Sequence, residues 1–205
     1  MIAKSLRTTA AAAAVALAGS AWAAASVGQP APAFTAQDAT GKTVSLADFK
    51  GKPVVLEWVN PGCPFVRKHY DSANMQGTQK EALAQGAVWL AINSTATDSR
   101  DYLSPVAMAQ WMRQQGAGAT ATLMDTDGRI GRAYGARVTP HMCIIDAQGM
   151  LAYAGAIDSI PTSRAADVDK ATNHVKQALA EVVAGKPVST PTTRAYGCTI
   201  KYSDG

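Results

Sequence analysis

The chain has 205 residues, 47% of them hydrophobic, and a formal charge of +4; setting aside Lys4 and Arg7 in a leader leaves +2 and no basic run, which argues against nucleic-acid binding through clustered cations. About 180 residues follow that leader, a single-domain length able to bury a full core without crosslinks. Three cysteines, Cys63, Cys143 and Cys198, are an odd count and too few for a disulfide scaffold.

The first residues, MIAKSLRTTAAAAAVALAGSAWA, run from a positive start through a short apolar stretch to Ala21-Trp22-Ala23. That order predicts a secretory leader over residues 1–23, cleaved near Ala23, and a periplasmic or secreted product. The apolar stretch is too short and too rich in alanine for a comfortable membrane span, so no membrane attachment is expected after cleavage. Residues 24–187 are expected to form one domain, followed by a tail, residues 188–205, that carries Cys198.

After the Pro-rich entry Gln29-Pro-Ala-Pro, AFTAQDATGKTVSLADF holds two short extended runs around Thr40-Gly41 and reads as a hairpin. VVLEWV, opened by Lys52-Pro53, is a bulky apolar run suited to a strand covered on both faces. Cys63 to about Gly86 lacks β-branched runs and contains TQKEALAQ, which predicts one or two helices. AVWLAIN follows as a second buried strand, then SPVAMAQWMRQQG as a helix with Pro105 in its first turn and Met108 and Met112 assigned to the core. TATLMD is a third strand and RIGRAYG a short helix, and VTPHMCIIDAQGMLAYAGAI gives two extended runs joined at Ala147-Gln148-Gly149. VDKATNHVKQALAEVVAG is an amphipathic helix closed by Gly185 and Pro187, and the tail KPVSTPTTRAYGCTIKYSDG is expected to be extended and loosely held. The alternation predicts an α/β fold: a central mixed sheet flanked by helices, with parallel strands inside, an antiparallel hairpin at one edge and an N-terminal hairpin extension.

In LEWVNPGCPFVRKHY a cysteine follows a strand and the breaking Asn60-Pro61-Gly62, with Pro64 suited to the first helical position. Cys63 is thereby predicted at or beside a helix N-cap, where unpaired backbone N–H groups and the positive end of the helix dipole favour a thiolate. Arg67 falls on the same helical face and Lys68 follows it, and both cations are expected to favour ionisation further. The alternative is a buried structural cysteine with solvated cations beyond it. Position 66 is Val66, so no second thiol stands three residues on, and Cys63 must react alone or be resolved from elsewhere.

Three features together resemble a known family. Glu57 is a carboxylate in an otherwise apolar strand six residues before the cysteine, Thr139-Pro140 opens the strand VTPHMCIID, and FTAQDATGKTVSLADFKGK and YGCTIKY lie near the two ends. The chain resembles the thioredoxin superfamily over nearly its whole mature length, and within it the peroxiredoxin-like redoxins grouped with the alkyl hydroperoxide reductase and thiol-specific antioxidant proteins. The resemblance implies a thioredoxin-like fold, Glu57 as a buried acid that accepts and returns a proton, a cis Pro140 beside the cysteine, and Thr139, Pro140 and His141 at the substrate cleft. It also implies a thiol peroxidase: Cys63 attacks a hydroperoxide, the sulfenic acid condenses with a second thiol, and an external thiol reductant recycles the disulfide. No cofactor is expected.

Cys198 is the expected resolving thiol, because it lies next to Gly197 in a tail able to swing toward the site; Cys143, among Met142, Ile144 and Ile145, is assigned to the core. Peroxiredoxins place Thr or Ser three residues before the reactive cysteine and Pro seven before, whereas this chain has Asn60 and Leu56, and Asn60 retains an amide able to hydrogen-bond the sulfur. No arginine from a distant strand can be matched to the peroxiredoxin pattern, Arg137 just before VTP being the candidate at hand, and Glu57 paired with Lys52 or another cation at the strand end is the alternative to the buried acid. Two other functions fit the same residues: a thiol–disulfide reductase acting on disulfides of exported proteins, and a non-catalytic module that holds an extended peptide beside Pro140. Cys63 with His141 lacks the third ligand a soft-metal site wants, so no metal is assigned, and His69 and His174 are expected on exposed helix faces.

Overall fold

The computed structural model describes residues 24–203, and the leader assigned to residues 1–23 lies outside them. β1 (Thr35–Gln37) and β2 (Thr43–Ser45) form the N-terminal antiparallel hairpin, which leans on the main sheet through Ala39 N–H to Thr122 O at 2.8 Å. β3 (Val54–Trp58) is buried at every position because its two faces enter different cores. Val55 packs on one side, and Val54, Leu56 and Trp58 on the other. Complete removal of such side chains from water is worth roughly 1.5–3 kcal/mol each, which holds β3 at the sheet centre although Glu57 is part of it.

α1 (Pro64–Asp71) and α2 (Asn74–Ala84) lead to β4 (Val88–Asn93), which lies parallel to β3. α3 (Pro105–Gln114) crosses to β5 (Ala121–Met124), parallel to β4, and α4 (Arg129–Ala133) follows. After β6 (Val138–Thr139), β7 (His141–Ile145) returns antiparallel to β3 and pairs with β8 (Leu151–Gly155). The sheet order is β5-β4-β3-β7-β8, parallel inside with an antiparallel hairpin at one edge, as the pattern predicts. Val66, Tyr70, Met75, Met108 and Met112 from α1, α2 and α3 form one core layer with Trp89, and Ile130, Ala133 and Tyr134 belong to the other. No helix among the described residues is long and apolar enough to cross a membrane.

Two expectations are corrected. The helix expected from Val168 is instead a 3-10 turn, Ala165–Lys170, followed by α5 (His174–Val183). Asn173 sets the break: its side chain accepts Lys176 N–H at 3.0 Å as an N-cap, while His174 N–H is held by Ile157 O. The tail is not loosely held. It follows the β8 edge, with Thr193 N–H on Ala154 O and Thr193 Oγ1 accepting Ala156 N–H at 2.8 Å, and then β9 (Cys198–Thr199) pairs antiparallel with β6. Ile200 N–H donates to Arg137 O and Ala96 N–H to Lys201 O. Free edge groups of β8 and β6 find partners in the tail, which is why it is fastened.

Candidate active site

Cys63 is the N-cap of α1, as its surroundings predict. Asn60 builds the turn before it: Gly62 N–H reaches Asn60 Oδ1 at 2.8 Å and Cys63 N–H reaches Asn60 O at 3.0 Å. The Asn60 amide donates to Thr95 Oγ1 at 3.0 Å, so its polar atoms shape the loop next to the sulfur. Pro64 then takes the first helical position.

The Cys63 thiol donates to Thr139 O at 3.0 Å, and the Thr139–Pro140 peptide is cis. Cys198 stands directly opposite Thr139 in the β6–β9 pairing, and the two cysteines line the same small cavity. Burial and the contact with Cys63 push the Cys198 thiol up to about 12. The sulfur of Cys63 is not accessible as expected: the residue is 2% exposed, and its thiol donates to a carbonyl beneath the tail. What remains open is a cavity of about 50 Å³ lined by Asn60, Cys63, Thr95, Asp101, Thr139 and Cys198, among others.

The two cations assigned to the sulfur are engaged elsewhere. Arg67 projects into solvent and pairs with Asp71 one turn on, at 3.7 Å. Lys68 turns inward, where Asp158 meets its ammonium at 2.8 Å. His69, expected on an exposed face, is fully buried beside this pair; Asn74 Nδ2 lies 2.8 Å from its Nδ1, and burial pushes the imidazole down to about 4. His174 is half-buried.

Glu57 is fully buried and accepts Tyr70 Oη and Trp89 Nε1 at 2.8 Å each and Gln79 Nε2 at 3.2 Å. No cation is among these partners and Lys52 is exposed, so the pairing alternative is set aside. Burial raises the carboxyl to about 7 against the opposing effect of its three donors.

His141 pairs in register with Trp58 and meets its ring edge-on, in the core layer across the sheet from Cys63. Its Nε2 is buried without a partner, and burial lowers its pKa to about 4. Cys143 lies in that same far layer, fully buried, with its thiol pushed up by desolvation, so the structure brings Cys198 and not Cys143 to Cys63. Among the described residues no group of three or more His, Cys, Asp or Glu could hold a metal ion.

Sequence reasoning missed the residues that fasten the tail. Tyr196 binds Asp158 and Lys68 on one side of Cys198. On the other side Tyr202 donates to Ala136 O at 2.7 Å, and its ring lies where a side chain at Gly128 or Gly131 would have to go. The alternation Tyr196, Cys198, Ile200, Tyr202 was the available signal, since a period of two marks a strand.

Comparison with known proteins bears on the family and the fold. A thiol:disulfide interchange protein, DsbE, from Yersinia pestis is 29% identical over 135 residues, which are 64% of this chain and 65% of that protein, so the match spans under two thirds of the relative's length. A hypothetical protein from Sinorhizobium meliloti matches in structure with a TM-score of 0.77 at 25% identity, covering 89% of this chain and 98% of that one. The thioredoxin domain of a thiol-disulfide oxidoreductase from Bacteroides vulgatus, at 21% identity, covers 71% of this chain and 96% of its own with a TM-score of 0.51, which shows the thioredoxin-like fold. Residues 27–154, more than half of the chain, match the AhpC/TSA family, and the protein belongs to it.

Proposed function

We propose that the protein is an exported thiol–disulfide oxidoreductase in which Cys63 is the nucleophile and Cys198, brought by the tail, takes the place of the second thiol that position 66 lacks. Cys63 as thiolate attacks a disulfide of a substrate protein, forming a mixed disulfide and releasing one substrate thiolate. Cys198 then attacks Cys63 Sγ, the mixed bond breaks, and the second substrate sulfur leaves as a thiolate. Two electrons pass from the protein's dithiol to the substrate, and an external thiol reductant restores the pair. Glu57, poised near neutrality in the core layer that holds Cys63, is the group suited to take and return the proton.

The observation that carries this reading is the seating of Cys198 opposite Thr139, whose carbonyl accepts the Cys63 thiol, with both cysteines lining one small cavity. The interchange activity named for the Yersinia pestis relative supports disulfide exchange over the peroxide reduction first expected, as does Asn60 where a peroxiredoxin carries Thr or Ser. Export rests on the N-terminal leader. The edge of β6 beside Pro140 is the place for an extended substrate segment once the tail has lifted.

The test mixes reduced protein with a small disulfide-bonded protein. The expected result is one Cys63–Cys198 bond for every two substrate thiols released, a trapped mixed disulfide with Cys198→Ser, and no reaction with Cys63→Ser. Rapid formation of the same bond by hydrogen peroxide, without reaction toward the protein disulfide, would restore the peroxidase. An inert Cys63 would leave a binding module.

A further inference from the structure

The tail passes over the site between two fastenings, and the one at Tyr196 has an unusual composition for a core. The Lys68 ammonium is buried and held by Asp158 Oδ2 at 2.8 Å, Ile160 O at 2.9 Å and Tyr196 Oη at 3.2 Å. Tyr196 donates in turn to Asp158 Oδ1, and its ring meets Phe65 edge-on. His69 Nε2 lies 3.4 Å from the same hydroxyl. A buried ion pair adds little net stability over apolar residues of the same volume, so core stability alone does not account for this cluster.

Its position has a consequence for the two sulfurs. Phe65, Lys68 and His69 all belong to α1, the helix whose N-cap is Cys63, whereas Tyr196 stands two residues before Cys198. Between them, Gly197 has a φ of +146°, and a Cβ there would lie 1.9 Å from Thr139 O, so only glycine lets the chain run flush against β6. The helix that presents one thiol thus holds, through Tyr196, the segment that presents the other.

We propose that Lys68, Asp158 and Tyr196 form a latch that closes the tail over Cys63 and positions the Cys198 thiol against it. The role of the thiols rests on the exchange reading above; the latch itself is tested by accessibility. With the latch closed, Cys63 meets only the small cavity beside Cys198. With it open, Cys63 is exposed for attack on substrate and Cys198 is withdrawn. Reclosure returns Cys198 to attack Cys63 Sγ in the mixed disulfide, with the substrate sulfur leaving as a thiolate.

The experiment labels the reduced full chain with iodoacetamide and follows each cysteine by peptide mapping. Tyr196→Phe keeps the ring on Phe65 but removes the hydroxyl, and loss of a hydrogen bond to a charged partner is expected to open the tail about tenfold more often. Cys63 labelling should accelerate by about that factor, while Cys143, sealed in the opposite core layer, stays unchanged. Gly197→Ala, which forces the tail off β6 without touching the latch, should also accelerate Cys63. In exchange with oxidised glutathione, the Cys63 mixed disulfide of Tyr196→Phe should persist longer than that of the wild type, because the tail recloses less readily. An unchanged Cys63 rate in Tyr196→Phe, or a joint rise of Cys63 and Cys143, overturns the latch. A wild-type protein that never forms the Cys63–Cys198 bond overturns the exchange reading, and labelling still decides the latch.

Discussion

Cys198 faces Thr139 across the β6–β9 pair, and Thr139 O is the atom that receives the Cys63 thiol at 3.0 Å. The partner absent from position 66 therefore arrives from a strand near the other end of the chain. Val66 lies one helical turn from Cys63 and packs in the same core layer. In a Cys198→Ser background the mixed disulfide at Cys63 should accumulate, and adding Val66→Cys should restore its resolution by about tenfold or more. Intact-mass kinetics with oxidised glutathione decide it; no recovery would mean that the helix cannot present a second sulfur.

Glu57 should make stability depend on pH. Its carboxyl has an ordinary value of 4.5 and a folded value of about 7, so between those limits the folded protein keeps a proton that the unfolded chain releases. Stability then falls as pH rises from about 4.5 to about 7 and levels off above, by about 3 kcal/mol in total. Urea unfolding across that range should show this slope in the wild type and its loss in Glu57→Gln. An equal slope in both proteins would show that Glu57 folds ionised. Disulfide exchange by Glu57→Gln should fall by about a hundredfold if the acid moves the proton.

Gly131 and Tyr202 should be energetically coupled. A Cβ at Gly131 would lie 2.2 Å from Tyr202 Oη, so Gly131→Ala must displace the ring that pins the tail beyond Cys198, at a cost of about 1–3 kcal/mol. In Tyr202→Leu the same alanine should cost much less. A double-mutant cycle from urea unfolding measures the coupling, and additivity of the two changes would place the ring elsewhere in solution.

Cys143 should matter to stability and not to exchange. Its side chain is fully buried, so Cys143→Ser buries a hydroxyl and should destabilise the fold by about 1–3 kcal/mol, with Cys143→Ala milder. Formation of the Cys63–Cys198 bond should keep its wild-type rate in both variants. A slowed reaction would bring Cys143 into the redox pathway.

Particular residues mark how far the sequence could be read. Cys63 at an N-cap, Pro64 in the first turn and Glu57 inside an apolar strand depend on neighbours within a few positions, and each was placed correctly. Lys68, next to Arg67 in sequence, is expected to favour ionisation of the sulfur, yet Asp158, 90 residues away, draws it inward. Asn173, inside the run expected to be helical from Val168, is the cap at which α5 begins.

The order of strands and helices, the solitary cysteine of the motif and the acid behind it were settled by the sequence itself, because periodicity, capping and turn chemistry act over single turns and strands. The meeting of Cys63 with Cys198 beneath a fastened tail was decided only in three dimensions. The unpaired edges of β6 and β8 select their partner from the whole chain, and the gain in hydrogen bonds and buried rings at Tyr196 and Tyr202 outweighs the cost of ordering a tail that local propensity leaves extended.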